Sequence, residues 1–278
     1  IEYMEKMGIS SLDEKKDENL SLAIGGMTYG VSPLEMAGAY ATVANDGTYI
    51  EPTFYTKVED SDGKIVLEPK PKTERVCSAE TAYIIKNLMQ SVVTGADGYA
   101  GTATYCAIPG METCAKTGST DEYVDRWLCG FTPYYTAACW FGYDNDQEPL
   151  KVGKTTYSVD GRNPAGQLWS SIMKDIHKGL ANKNFNKPST GLVQKTICKD
   201  TGGVATSSCT NTYTETFTTD NVPENCQGHG TQRICTESGK VANEYCPADK
   251  VKTVSYGGVI PKEQLKLWNT INKSKSSS

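Results

Sequence analysis

The chain has 278 residues, of which 28 are basic and 33 acidic, so its formal net charge is −5. This balance argues against a nucleic-acid-binding surface, and the chain shows no polybasic patch for a membrane. No run of apolar residues approaches the roughly 18–20 that a transmembrane helix needs. The length allows one full domain and a smaller second one.

The start of the chain predicts one partial helix and one complete helix. Residues 1–20 end a helix and enter a polar loop. Apolar residues at helical spacing then predict a helix over 33–45. Ser32 stands at the N-cap position of that helix, with Pro33 at its first position and Glu35 at its third.

The middle of the chain predicts a hairpin, a helix and a sheet. An alternating segment over 54–66 contains an Asp-Ser-Asp-Gly turn, which is typical of a β-hairpin. A second clear helix is predicted over 78–93. Three strands over 112–118, 125–132 and 136–143 are joined by short turns, so they should form an antiparallel meander.

The composition changes near the end of a last predicted helix over 165–180. Residues 182–189 are rich in Asn, Lys, Pro and Ser, which indicates a domain boundary. The predicted organisation is therefore a first domain over 1–183, a small cysteine-rich β domain over 190–270 and a disordered tail over 271–278.

The second domain contains an internal repeat. Residues 197–209 align with 234–246, and six of the thirteen positions are identical, including both end cysteines. A central glycine in each unit predicts a hairpin that brings its two cysteines together. The chain has ten cysteines, five in the first half and five in the last third, so each part has an odd number.

The most informative segment is the Lys-Thr-Gly-Ser-Thr sequence at 116–120. A cationic Lys116 beside the hydroxyls of Thr117 and Ser119, on an extended strand, can form an anion site. Gly118 lacks a side chain where a ligand backbone could approach, and the N–H of Ser119 could point at a developing oxyanion. An ordinary edge strand with a solvated lysine could have the same residues. The segment alone therefore does not distinguish a binding site from an edge strand.

Six separated blocks place this segment in a wider pattern. Over roughly residues 1–180 the chain resembles the transpeptidase domain of penicillin-binding proteins, through blocks at 22–26, 29–37, 39–47, 115–120, 127–133 and 140–144. The resemblance implies an α+β fold with part of a serine β-lactamase/transpeptidase-like antiparallel sheet packed between helices. A small cysteine-rich all-β domain would follow it.

The resemblance implies D,D-transpeptidation of peptidoglycan. In that family a serine of a Ser-x-x-Lys motif attacks the D-Ala–D-Ala bond of a stem peptide, and β-lactams trap the acyl-enzyme. Lys116 would hold the serine of a second motif in position and add positive potential. Thr117 and Ser119 would bind the terminal carboxylate, and the Ser119 N–H would supply half the oxyanion hole. Gly118 and Thr120 complete the expected substrate-binding set.

No position compatible with this fold carries the Ser-x-x-Lys motif that supplies the family's nucleophile. The Ser-x-x-Lys string at 171–174 follows the Lys-Thr-Gly motif, so motif order makes it a coincidence. We therefore expect the Ser-x-x-Lys and Ser-x-Asn motifs on an N-terminal part of the same protein or a separate polypeptide, and residues 1–278 to be inactive alone. The resemblance to the bifunctional class implies an upstream glycosyltransferase domain and membrane anchor, with the site at the extracellular face of the membrane.

Three other functions remain open. A D,D-carboxypeptidase would use the same residues with water as the acceptor. A β-lactamase normally ends soon after its last helix and carries no appended domain. A wall-binding or scaffolding module without a nucleophile would bind no β-lactam even in its complete form.

The cysteines of the repeat allow two interpretations. The extracellular setting and the symmetry of the repeat favour one disulfide in each unit and no metal or other cofactor; the pairs would be Cys198–Cys209 and Cys235–Cys246. The alternative is a zinc site that includes Cys226 and His229, which have a Cys-x-x-His spacing. The unpaired Cys226 is the main argument for zinc.

Three cysteines of the first domain require no special chemistry. Cys129 and Cys139 are expected to be small buried apolar residues rather than a cross-strand disulfide. Cys114 is not expected to be a nucleophile, because the two histidines of the chain, His177 and His229, lie far from it in sequence.

Overall fold

The structure is a computed structural model that describes residues 1–96, 98–144, 151–152, 155–156 and 163–257. The chain forms two compact units, residues 1–188 and 189–278. The tail predicted over 271–278 lies outside the described residues. No helix in the described part of the chain is long and apolar enough to cross a membrane.

The first unit contains four α-helices and nine strands among its described residues. The helices are α1 (Glu2–Lys6), α2 (Pro33–Ala44), α3 (Ala79–Thr94) and α4 (Pro164–Ile176). The strands are β1 (Thr48–Ile50), β2 (Val58–Glu59), β3 (Ile65–Leu67), β4 (Thr73–Arg75), β5 (Cys114–Ser119), β6 (Arg126–Phe131), β7 (Thr136–Phe141), β8 (Lys151–Val152) and β9 (Thr155–Thr156). Three short 3-10 helices lie at Leu20–Ile24, Thr104–Cys106 and Asp121–Tyr123.

Strands β5, β6 and β7 form the antiparallel meander that the sequence predicts. Lys116 is paired with Cys129, and Cys129 in turn with Ala138. Cys129 and Cys139 are therefore not opposite each other, and both carry free thiols. The predicted hairpin over 54–66 forms as the antiparallel pair of β2 and β3.

The meander is covered by helices on both faces, which confirms the predicted fold class. On one face Ala115 and Leu128 pack in a cluster with Trp169 and Met173 of α4. On the other face Cys114 and Phe131 pack in a second cluster with Val43 of α2, next to residues of α3. Because period-2 alternation sends neighbouring side chains to opposite faces, β5 contributes to both clusters.

Trp169 is the largest fully buried side chain of this unit. Its indole Nε1–H donates to the carbonyl of Ala137 at 3.0 Å, so its one polar group is satisfied. Gly130 of β6 leaves the space for it, since a Cβ at that position would lie 2.9 Å from Cζ2 of Trp169. The same Cβ would lie 2.6 Å from the carbonyl oxygen of Cys114.

Helix α2 begins with the capping box that the sequence predicts. The Ser32 hydroxyl accepts from the N–H of Glu35, and the Glu35 carboxylate accepts from the N–H of Ser32 at 2.9 Å. The same carboxylate accepts from the N–H groups of Ser10 at 2.8 Å and Ser11 at 3.0 Å. Burial raises the pKa of Glu35, but the hydrogen bonds from Ser32 and Ser10 outweigh it and lower the pKa to about 2.

This carboxylate makes the stability of the first unit depend on acid pH. The folded pKa lies below the ordinary value, so the stabilisation is fully present above pH ~4.5 and is lost as pH falls towards about 2. Glu35→Gln is expected to lower the free energy of unfolding by about 1–3 kcal/mol at pH 7. Urea unfolding at pH 7 and pH 3 should show a smaller mutant effect at the lower pH, whereas the exposed Glu18→Gln should change little at either. An equal effect of Glu35→Gln at both pH values would contradict this account.

The second unit is built from two antiparallel hairpins. Its strands are β10 (Leu192–Cys198), β11 (Thr212–Thr218), β12 (Gly230–Cys235) and β13 (Val251–Tyr256), and a 3-10 helix lies at Ala248–Lys250. Strand β10 pairs with β11, and β12 pairs with β13. Few of its described hydrophobic side chains are buried, namely Ile197, Cys198, Cys226 and Cys235.

Candidate active site

The Lys-Thr-Gly motif lies on β5, at one edge of the meander. The strand runs from the core to the surface: Cys114 and Ala115 are fully buried, whereas Lys116 and Ser119 are exposed. Within the described residues no strand pairs with the outer edge of β5. An edge of this kind has backbone N–H and C=O groups to which an extended peptide can hydrogen-bond.

The charged side chain and the hydroxyl side chains of the motif lie on opposite faces of this edge strand. Alternation places Lys116 and Gly118 on one face and Thr117 and Ser119 on the other. Lys116 Nζ donates to the carbonyl of its neighbour Thr117 at 3.0 Å. The exposed ammonium and the two hydroxyls thus lie within four successive residues of an accessible strand.

The absence of a side chain at Gly118 has a structural cause within the sheet. Gly118 is paired with Trp127 of β6, and a Cβ at Gly118 would lie 3.0 Å from the Trp127 Cβ. A contact this short is tighter than normal van der Waals contact, so the tryptophan would have to move. The cross-strand contact with Trp127 therefore requires a glycine at 118 independently of any ligand.

Thr102 is a neighbour of the motif that the sequence analysis did not identify. Its hydroxyl lies 3.5 Å from the hydroxyl of Thr117. The adjacent Ala103 N–H donates to the carbonyl of Val92 in α3 at 2.9 Å, which holds this segment against the helix.

The turn after the motif is closed by Thr120 and Asp125. The Thr120 hydroxyl accepts from the N–H of Asp125 at 2.8 Å, and Asp125 Oδ1 accepts from the indole N–H of Trp140 at 2.8 Å. Thr120, which the resemblance placed in the substrate-binding set, therefore has a structural partner as well. This network holds the end of β5 in place.

Neither Ser-x-x-Lys string of the chain has the setting of a nucleophile. The string at 171–174 lies in α4, where Lys174 Nζ donates to the carbonyl of Tyr105 at 2.9 Å. A second match, at 61–64, forms the exposed turn between β2 and β3. The Cys114 thiol is fully buried and donates to the Lys86 carbonyl at 3.3 Å, and burial raises its pKa, which is unfavourable for a nucleophile.

A cluster of three thiols and one imidazole lies in the second unit. The ligand atoms of Cys198, Cys209, Cys226 and His229 all lie within 4.8 Å of one another. Burial raises the pKa of Cys226, but hydrogen bonds from Thr201 and His229 outweigh it and lower the pKa to about 6.

The structure has free thiols at the positions of both predicted disulfides of the repeat. All ten cysteines carry free thiols, so neither Cys198–Cys209 nor Cys235–Cys246 is bonded. The prediction that a hairpin brings the end cysteines of the first repeat together is right. Cys226 and His229, which the sequence offered as part of the alternative zinc site, lie in the same cluster, so the two thiols are not an isolated pair.

Comparison with known proteins identifies the class to which this fold and motif belong. Residues 4–174 match the family model described as penicillin binding protein transpeptidase domain, and residues 188–231 match the one described as penicillin-binding protein 1A, C-terminal domain. The chain belongs to the penicillin-binding protein transpeptidase family. The resemblance seen in the sequence is thereby confirmed.

A relative at the sequence level agrees with this family, and solved structures share the fold. Penicillin-binding protein 1A of Clostridium botulinum (strain Langeland) is 34% identical over 262 residues, which cover 91% of this chain and 30% of that protein. The crystal structure of penicillin-binding protein 1A from Haemophilus influenzae has a TM-score of 0.63 at 22% identity and covers 80% of this chain and 36% of that one. The structure of the PonA1 protein from Mycobacterium tuberculosis in complex with penicillin V has a TM-score of 0.55 at 24% identity, covering 67% and 51%. The chain thus spans about a third of its C. botulinum relative.

Proposed function

We propose that this chain forms the Lys-Thr-Gly side of a peptidoglycan D,D-transpeptidase site that β-lactams acylate. The observation that carries the proposal is the outer edge of β5, which pairs with no strand among the described residues and carries Lys116, Thr117 and Ser119 at the border of a sheet packed between helices. Family membership supports the same reaction class.

Each residue of the motif has a role that its position supports. A donor stem peptide in extended conformation adds to the outer edge of β5 through backbone hydrogen bonds. The hydroxyls of Thr117 and Ser119 bind its terminal carboxylate, and Thr102 lies beside Thr117 to orient that hydroxyl. The N–H of Ser119 stabilises the oxyanion that forms at the attacked carbonyl, and the Lys116 charge favours the same transition state.

The nucleophilic serine is supplied by another part of a longer protein. It attacks the D-Ala–D-Ala carbonyl, the bond to the terminal D-Ala breaks, and the acyl group passes to an amine of a second stem peptide. A D,D-carboxypeptidase differs only in using water as the acceptor. An assay with and without an acceptor amine separates the two reactions.

The setting of this reaction follows from its substrates. Peptidoglycan lies outside the cytoplasmic membrane, so the site acts at the extracellular face, held there by an anchor on the longer protein. A glycosyltransferase domain on the same polypeptide would supply the glycan strands, as in bifunctional members of the family. The partners are stem peptides and β-lactams, and the penicillin V complex of PonA1 is a relative's example of the second.

Intact mass spectrometry with and without a penicillin tests this function. We expect residues 1–278 to gain no mass, because the Lys-Thr-Gly strand alone has no serine to acylate. The longer protein should gain one drug mass, and it should gain none when the serine of its Ser-x-x-Lys motif is replaced by alanine. Failure of the longer protein to form an adduct would favour a wall-binding or scaffolding module.

A further inference from the structure

The thiol–imidazole cluster of the second unit has the dimensions of a metal site. The Nδ1 atom of His229 lies 3.4 Å from Sγ of Cys198, 3.7 Å from Sγ of Cys209 and 3.3 Å from Sγ of Cys226. A tetrahedral zinc ion, with Zn–S of about 2.3 Å and Zn–N of about 2.0–2.1 Å, places sulfur and nitrogen about 3.6 Å apart. The three separations bracket that value.

The backbone brings the four ligands together from two segments. Cys198 ends β10, and the turn after it is closed by Cys198 N–H to the Gly203 carbonyl at 2.9 Å. Cys226 arrives from the segment after β11, where its N–H donates to the carbonyl of Val204 at 2.8 Å. Gly203 permits this approach, since a Cβ there would lie 2.9 Å from the Cys226 backbone.

Hydrogen bonds from neighbouring groups orient the candidate ligand side chains, as they commonly do around metal ions. Asp200 Oδ2 lies 3.1 Å from Nε2 of His229, so Nε2 is the donor and Nδ1 directs its lone pair into the cluster. Thr201 Oγ1 donates to Sγ of Cys226 at 3.1 Å, and the Thr206 N–H donates to Sγ of Cys209 at 3.3 Å. These donors stabilise negative charge on the sulfurs.

The second repeat shows that the turn alone does not make the cluster. Its Cys235 N–H donates to the Lys240 carbonyl at 2.8 Å, as Cys198 does to Gly203, and Cys246 N–H donates to the Asn243 carbonyl at 3.2 Å. Within the described part of the chain, however, the metal-type cluster forms only at the first repeat. The two repeats therefore share a hairpin but differ in chemistry.

We propose that Cys198, Cys209, Cys226 and His229 bind one structural Zn²⁺ ion. Three thiolates and one imidazole are a donor set that suits zinc, and four protein ligands close the coordination shell. This unit has few buried hydrophobic side chains. A metal ion bound by four residues would cross-link it and stabilise a fold with little hydrophobic core. A Cys198–Cys209 disulfide would instead remove two of the four donors, and Cys226 and His229 alone would not complete a zinc site.

Metal analysis of the 278-residue chain, purified under reducing conditions with zinc supplied, tests the proposal. We expect about one zinc per chain by native mass spectrometry, and loss of that zinc in Cys226→Ser. The matched control is the double variant Cys235→Ser with Cys246→Ser, which should retain one zinc. A wild-type chain without zinc, or equal loss of zinc in the control, would overturn the proposal.

A milder variant keeps the test decisive if a ligand substitution prevents folding. Asp200→Asn leaves all four ligands in place and removes only the carboxylate that orients His229. Competition with a chromophoric chelator should show a zinc dissociation constant about 10- to 100-fold higher. The exposed Asp249→Asn should leave it unchanged, and an unchanged constant in Asp200→Asn would contradict the assigned orientation of His229.

Discussion

Lys116→Ala in the longer protein is expected to slow acylation by penicillin about 100- to 1,000-fold. The substitution removes a positive charge next to the hydroxyls of Thr117 and Ser119, at the edge where the acyl group and its oxyanion are proposed to form. The side chain is exposed, and its hydrogen bond among the described residues goes to the adjacent Thr117 carbonyl, so folding should be retained. The measurement is the second-order rate constant of labelling by a fluorescent penicillin.

A matched lysine separates a local effect from a general change of charge. Lys178 follows α4, has a side chain 77% exposed and is paired with Asp175. Lys178→Ala removes the same charge far along the chain from the motif, and we expect its acylation rate to equal that of the wild type. Equal slowing in both variants, or no slowing in Lys116→Ala, would remove Lys116 from the site.

Trp169→Ala is expected to lower the free energy of unfolding by about 3–5 kcal/mol. The side chain is fully buried between α4 and the meander, and it packs against Gly130, where a Cβ would lie only 2.9 Å from its Cζ2 atom. Its removal therefore leaves a large cavity. The substitution also removes the indole hydrogen bond to the partly buried Ala137 carbonyl. Urea unfolding of the 278-residue chain, followed by circular dichroism, measures the change.

The neighbouring Leu168 provides the control on the same helix. Its side chain is 49% exposed, so Leu168→Ala should change the free energy of unfolding by less than about 1 kcal/mol. A comparable loss in both variants would mean that α4 contributes through helix formation rather than through the buried tryptophan. A small effect of Trp169→Ala would show that the packing of α4 on the sheet does not hold the unit together.

Local signals in the sequence were sufficient for the elements that position the site. The capping residues Ser32 and Glu35 predict the start of α2 because they satisfy backbone groups within one turn. Short turns between three apolar segments predict the meander, since neighbouring strands in sequence pair most simply as antiparallel neighbours. The position of the Lys-Thr-Gly motif on a strand follows from the same pattern.

Contacts between segments distant in sequence were beyond those local signals. The approach of Thr102 to Thr117 and the contact of Gly118 with Trp127 depend on tertiary packing and strand register. The choice between disulfides and a zinc site in the second unit could not be made from the sequence for a related reason. Symmetry of the repeat predicted pairs, whereas the structure adds Cys226 and His229 from a segment that the second repeat does not match.

The structure of the longer protein acylated by penicillin is the most direct test of the central proposal. We expect the carboxylate of the bound drug within about 3 Å of the hydroxyls of Thr117 and Ser119. The drug's acyl oxygen should accept from the Ser119 N–H, with the ligand lying along the outer edge of β5. A penicillin covalently bound to the protein but with no contact to β5 would contradict the assignment of 116–119 to the acyl-transfer site.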